Sequence, residues 1–168
     1  MISTGPQVAI RRATPADSDQ VAEIWRRGWQ DGHRGSVPPE LVKVRTDESF
    51  NARASDRVDD TTVATVEGVV AGFVMVVDDE VEQVYVSARH RGSGLAAILM
   101  DEAERLVRGN GYAIAWLAVV DGNGRARAFY EKAGWQDEGP FDYAVTAETG
   151  PIVVPARRYT KRLSGSGA

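Results

Sequence analysis

Cysteine is absent from the chain, and histidine occurs only as His33 and His90. The first absence excludes disulfides, thiolate metal ligands and a cysteine nucleophile. Two histidines alone cannot supply a zinc-type cluster at the spacing such sites use, so no metal is expected. A Ser-His-Asp triad would lack its G-x-S-x-G elbow. No apolar run approaches the roughly 20 residues that cross a bilayer, so no membrane partner is expected. The opening MISTGPQVAIRR has no apolar h-region of a signal peptide, and a soluble cytoplasmic protein is the expectation. An excess of basic residues is missing too: the net charge is −4, which disfavours nucleic acid as a partner. That balance favours cationic small molecules as partners through long-range steering, without excluding a local basic pocket.

What is present fits one globular domain over residues 1–168, with 43% hydrophobic and 26% charged residues and a small-residue, flexible tail over 164–168. Gln7 to Arg12 alternates as a strand. Thr14-Pro15-Ala16-Asp17 starts a helix that runs to about Gln30, with Asp31 to Gly35 as its break. Pro38-Pro39 opens a second helix through Leu41 and Val44, and Thr46 to Asp60 is mixed and charged with no clear period. Thr61 to Glu67 and Val69 to Val77 read as a tight hairpin about Glu67-Gly68, followed by a strand from Glu80 to Ser87. A helix from about Gly92 to Arg108 places Leu95, Ile98, Leu99, Ala103 and Leu106 on one face. Tyr112 to Val119 is almost wholly apolar, as in a central strand buried on both faces. A short helix over Gly124 to Lys132 ends at Gly134, and two strands close the chain, Trp135 to Thr146 and Ile152 to Leu163. The order predicts an α/β (α+β) fold: a mixed, mostly antiparallel sheet with a central parallel strand pair, flanked by helices.

The richest segment is Gln83-Val84-Tyr85-Val86-Ser87-Ala88-Arg89-His90-Arg91-Gly92-Ser93-Gly94-Leu95-Ala96. A strand runs into a glycine-bearing turn, and the turn opens a helix. Such a turn aims backbone N–H groups and the positive helix end at one place, and Gly92 and Gly94 let the backbone approach an anion. A phosphate or pyrophosphate suits it. Gly92-Ser93-Gly94-Leu95-Ala96-Ala97 also matches the dinucleotide pattern G-x-G-x-x-G/A, but Asp121 comes too late to be its acidic partner and the repeated βαβ units are missing.

Arg91-Gly92-Ser93-Gly94-Leu95-Ala96 resembles the Q/R-x-x-G-x-G/A motif of the GCN5-related N-acetyltransferase (GNAT) family, which binds the pyrophosphate of acetyl-CoA. Asn123-Gly124-Arg125-Ala126-Arg127-Ala128-Phe129-Tyr130-Glu131-Lys132-Ala133-Gly134-Trp135 resembles that family's N-x-x-A-x-x-F-Y-x-x-x-G-F segment, with Trp135 in place of Phe. Ser87-Ala88 departs from the proline that many members carry there.

The resemblance implies acetyl-CoA as cosubstrate, a small-molecule amine or peptide N-terminus as acceptor, direct attack in a ternary complex, and room for a homodimer. It implies that Val84, Tyr85 and Val86 pair with the pantetheine arm. Arg91, Gly92, Ser93, Gly94, Leu95, Ala96, Asn123, Arg125, Ala126, Phe129 and Tyr130 complete the expected cofactor site. By resemblance, Tyr130 is the general acid. Glu82 and Glu80, two apart on one strand face, are the candidate bases, with Glu82 nearer the expected thioester end. Trp29, His33 and Phe50 are the expected acceptor-site residues. A second reading is a non-catalytic acyl-CoA-binding regulatory module on the same fold.

Overall fold

The computed structural model describes residues 6–33, 35–147 and 149–164; Arg34 of the expected break and residues 165–168 of the expected tail lie outside them. The strands are β1 Val8–Arg12, β2 Thr61–Val66, β3 Val69–Val77, β4 Glu80–Val86, β5 Ile114–Val120, β6 Gln136–Val145 and β7 Ile152–Arg162. The helices are α1 Ser18–His33, α2 Pro39–Val44, α3 Asp47–Asp56, α4 Leu95–Gly109 and α5 Gly124–Lys132. The strands form one sheet in the order β1-β2-β3-β4-β5-β7-β6. Every neighbouring pair is antiparallel except β4 and β5.

The β2–β3 hairpin turns on Glu67 at φ 52° and Gly68 at φ 80°. Positive φ at both central residues matches the strand twist. β3 supplies the centre of two cores. Ala71, Val74 and Val76 face a layer with Leu95, Leu99, Ala103 and Val107 of α4, whereas Phe73 and Met75 face Val21, Trp25 and Trp29 of α1 and Phe50 of α3. A strand covered on both faces must be apolar at every position, as Val69–Val77 is.

Four expectations change. The segment 46–60 contains α3, whose start is capped by Thr46 Oγ1 accepting from the Ser49 N–H at 3.1 Å. Its single apolar stripe, Phe50 and Ala54, is too sparse to reveal a period. Helix α1 runs to His33, past the expected end at Gln30, because the chain can continue helically where Gly32 packs against Asn123. On α4 the buried face is Leu95, Leu99, Met100, Ala103 and Val107, while Ile98 points to solvent. β5 is buried on one face only; Trp116 and Ala118 on the other are half-exposed.

Asp17 fixes the junction of β1 and α1. Its carboxylate accepts from Arg11 Nη1 at 2.8 Å and from the Thr14 backbone N–H at 2.8 Å. The Arg11 hydrogen bond holds this carboxyl at about 2, below its ordinary range.

Candidate active site

The parallel pair β4–β5 barely forms. Its register contains only Glu80 opposite Trp116, beside a bond from the Trp116 N–H to the Asp79 carbonyl at 3.0 Å. β5 instead pairs along its length with β7. On its other side β4 is held by β3, whose register shifts at Met75/Val76, a bulge of the kind that bends a strand. The two strands therefore diverge after Glu80 and leave a wedge-shaped split. The Ser87 N–H is directed at Ala71 of β3. Strand N–H groups alternate in direction, so those of Val86 and Val84 turn toward the split. A cavity of about 350 Å³ opens there, between Val84 and Tyr85 on one side and Ala118, Val119 and Val120 on the other.

The glycine turn lies just past the end of β4. Gly92 and Gly94 have φ of 77° and 86°, in the left-handed region where side chains are strained. Gly94 is the N-cap of α4, and the first bond into the helix runs from the Ile98 N–H to the Gly94 carbonyl at 3.2 Å. The amides of Leu95, Ala96 and Ala97 precede it and so have no acceptor within the helix. A Cβ on either glycine would meet nothing within 4 Å among the described residues. The turn sets the Leu95, Ala96 and Ala97 amides at a positive helix end beside two glycines that leave the space open, which is the chemistry an oxyanion needs. Arg91 is held nearby by Asp31 of α1 at 2.8 Å, and Arg125 lies within electrostatic range of the same carboxylate.

Known proteins supply the frame for this geometry. Residues 19–135 match the acetyltransferase (GNAT) family model. The chain belongs to the GNAT family. An uncharacterized N-acetyltransferase of Mycobacterium tuberculosis (strain H37Rv) is 27% identical over 133 residues, 73% of this chain and 85% of that protein. In fold, a GCN5-related N-acetyltransferase from Rhodopseudomonas palustris superposes with a TM-score of 0.70 at 22% identity, covering 97% of this chain and 99% of that one. The PaiA N-acetyltransferase from Thermoplasma acidophilum, solved in complex with coenzyme A, superposes with a TM-score of 0.69 at 16% identity, over 93% and 99% of the two chains. The reaction class is N-acyl transfer from acyl-CoA. No helix among the described residues is long and apolar enough to cross a membrane.

Several GNAT-motif residues meet at the cavity. Val84, Tyr85, Asn123, Ala126, Tyr130, Glu80, Glu82, Trp29 and His33 line it. Asn123 caps α5 through Oδ1, which accepts from the Ala126 N–H at 3.2 Å. Phe129 packs into the core beside Tyr130 instead, and Arg125 is exposed. Phe50 is a correction: it is only 1% exposed, wedged against Trp25 and Trp29, and belongs to the core rather than the cavity wall. The close approach of α1 to β4 depends on Gly28, since a Cβ there would come within 2.2 Å of the Tyr85 ring.

Burial raises the Tyr130 phenol to about 12. Glu80 is also raised, chiefly by burial, against the opposing hydrogen bond donated by Tyr143 Oη. Glu82 pairs with Arg57 Nη2 at 3.1 Å. Arg45, Arg53, Arg57 and Tyr143 share the cavity. Sequence reasoning missed all four. Three of them lie on or beside α3, the segment whose period was unreadable, and the N-cap signal of Thr46 with Asp47 and Glu48 behind it was the available clue.

His33 stacks on Trp29 with ring centroids 5.3 Å apart, and Nδ1 meets the Trp29 carbonyl at 3.1 Å. Burial holds its pKa down to about 4. The unfolded chain, with an ordinary histidine near 6.5, then binds more protons than the folded one between those values. Folding stability is expected to fall by roughly 3 kcal/mol as pH drops from about 6.5 to about 4. His33→Gln should remove most of that slope in denaturant titrations across this range; an unchanged slope would mean that the folded imidazole titrates normally.

Proposed function

We propose that this protein transfers the acetyl group of acetyl-CoA to the primary amine of a small molecule by direct attack in a ternary complex. The observation that carries this reading is the split between β4 and β5. It runs alongside β4, whose end leads into the glycine turn at Gly92–Gly94, and it holds a cavity lined by Tyr130 and Glu80. The pyrophosphate would rest on the Leu95, Ala96 and Ala97 amides beside Arg91, and the pantetheine arm would bond to Val84 and Val86 as an added strand.

With the thioester in the split, the acceptor nitrogen attacks the carbonyl carbon. The oxygen takes up negative charge beside the backbone N–H of Val86. Collapse breaks the carbon–sulfur bond, Tyr130 gives its proton to the departing thiolate, and the nitrogen loses its proton to a base or to water. Glu80 suits the base role better than Glu82. Its raised pKa brings it closer to the amine's needs, whereas Glu82 is engaged by Arg57. No cysteine exists to carry an acyl-enzyme.

The test mixes purified protein, acetyl-CoA and a panel of small primary amines while free thiol is followed. Acceptor-dependent thiol release is expected. CoA binding by calorimetry without any release would instead favour a regulatory acyl-CoA-binding module. Glu80→Gln should lower kcat/KM by at least about tenfold and remove the acid limb of its pH profile, since the ionised form is the active one. If Glu82→Gln does this and Glu80→Gln does not, the assignment of the base is reversed.

A further inference from the structure

The acceptor end of the cavity holds more positive charge than its carboxylates balance. Arg45, Arg53 and Arg57 line it together with Glu80 and Glu82. The charge of Arg57 is matched: its Nε lies 2.9 Å from Asp60 and its Nη2 3.1 Å from Glu82, the latter an ion pair without hydrogen-bond geometry. Neither Arg45 nor Arg53 has a carboxylate partner among the described residues. Arg45 donates only to the Thr146 carbonyl, at 3.2 Å. Arg53 lies over the Trp25 ring with Cζ 4.1 Å from its centroid, and its Nη1 is buried with no hydrogen-bond partner among the described residues. Burial, with the nearby Arg45 as a smaller cause, holds Arg53 down at about 9.

A buried guanidinium N–H left unpaired is costly, and folded proteins rarely leave one without a purpose. The contact with the indole restrains the guanidinium of Arg53, which lines the cavity. Planar guanidinium forks match a carboxylate with two parallel hydrogen bonds.

We propose that the acceptor is a small amine bearing a carboxylate, an amino acid or close analogue, and that Arg53 and Arg45 bind its carboxylate while the amine faces the thioester. The inference rests on the acyl-transfer reading above and adds the substrate class. The cavity of about 350 Å³ must also take the thioester end of the cofactor, which leaves room only for a small acceptor. The two cations contribute to catalysis as well: positive charge nearby disfavours the ammonium form and so raises the fraction of neutral, nucleophilic amine.

The experiment compares L-amino acids, their α-carboxamides, their decarboxylated amines and O-phosphoethanolamine as acceptors, by acetyl-CoA-dependent thiol release. The best free acid should exceed its own carboxamide and amine by at least about tenfold in kcat/KM, as expected for charge-assisted bonds to a buried site. Arg53→Gln and Arg45→Gln should each collapse that ratio several-fold, mainly through KM, while calorimetry shows CoA still bound. If Arg53 serves only to cover Trp25, its replacement will move Tm and leave the ratio unchanged. A wild-type preference for the carboxamide or the amine, a stronger response to O-phosphoethanolamine, or ratios untouched in both variants would each overturn the proposal. Should no probe release thiol, the acyl-transfer reading fails by itself. The anion site is then judged by calorimetry of the free acids with CoA-loaded protein: Arg53-dependent binding upholds it, and absence of binding to every acid sinks it.

Discussion

Tyr130→Phe is expected to bind CoA as the wild type does and to lower kcat by about 10²–10⁴-fold, the usual cost of losing a positioned proton donor. The ring packs against Phe129, Trp135 and Tyr159 at centroid distances of 5.4, 6.2 and 6.2 Å, and a phenylalanine keeps those contacts. Only the hydroxyl is removed, and it belongs to a residue on the cavity wall. A phenol raised to about 12 holds its proton at every working pH. Exclusion of water disfavours the departing thiolate as it disfavours the phenolate, so donor and acceptor would shift in the same direction. Single-turnover thiol release, with CoA affinity measured in parallel, checks the expectation. A variant that turns over at the wild-type rate would make Tyr130 a packing residue, and the proton would then come from water.

Gly94→Val should weaken CoA binding by at least about tenfold, or 1.4 kcal/mol. Two effects act at this position. With φ at 86°, any side chain is strained, by on the order of 1–3 kcal/mol, and a β-branched one most of all. The added atoms meet no described protein atom within 4 Å of the Cβ, so they project into the open space at the turn. Gly94→Ala separates the effects, because it carries most of the backbone strain with little of the volume. A loss of affinity in Val far beyond that in Ala places the pyrophosphate at this turn. A folded Gly94→Val protein with unchanged affinity places it elsewhere.

How far the sequence carried depends on the range of the forces involved. Helix starts and hairpin turns were legible because they are local. Thr14-Pro15 and the Glu67-Gly68 turn encode their backbone shapes within a few residues. The two GNAT motifs were legible for the same reason, since a turn through left-handed backbone needs glycines at fixed offsets. Helix α3 was not, because a short helix against a large core needs only Phe50 and Ala54 as its buried contacts, too few to show a period. Phe50 also shows the limit of residue type as a guide: an aromatic near the acceptor region satisfies a core as readily as a ligand pocket, and packing put it in the core.

Charge followed the same division. The balance of −4 describes the far field, where steering acts. A molecule inside the cavity would meet instead the few charges that folding gathers there, and Arg45 and Arg53 lack carboxylate partners among the described residues. By itself, the sequence determined the order of the elements other than α3, the glycine turn, the motif tyrosine and the absence of any cysteine route. Tertiary structure alone decided where β4 parts from β5, that burial raises Glu80, that Glu82 pairs with Arg57, and that residues from α3, β4, α5 and β6 share one pocket. Those outcomes arise from contacts between residues far apart in the chain. No local pattern encodes them, because each depends on how a whole sheet pairs and on which side chains that pairing removes from water.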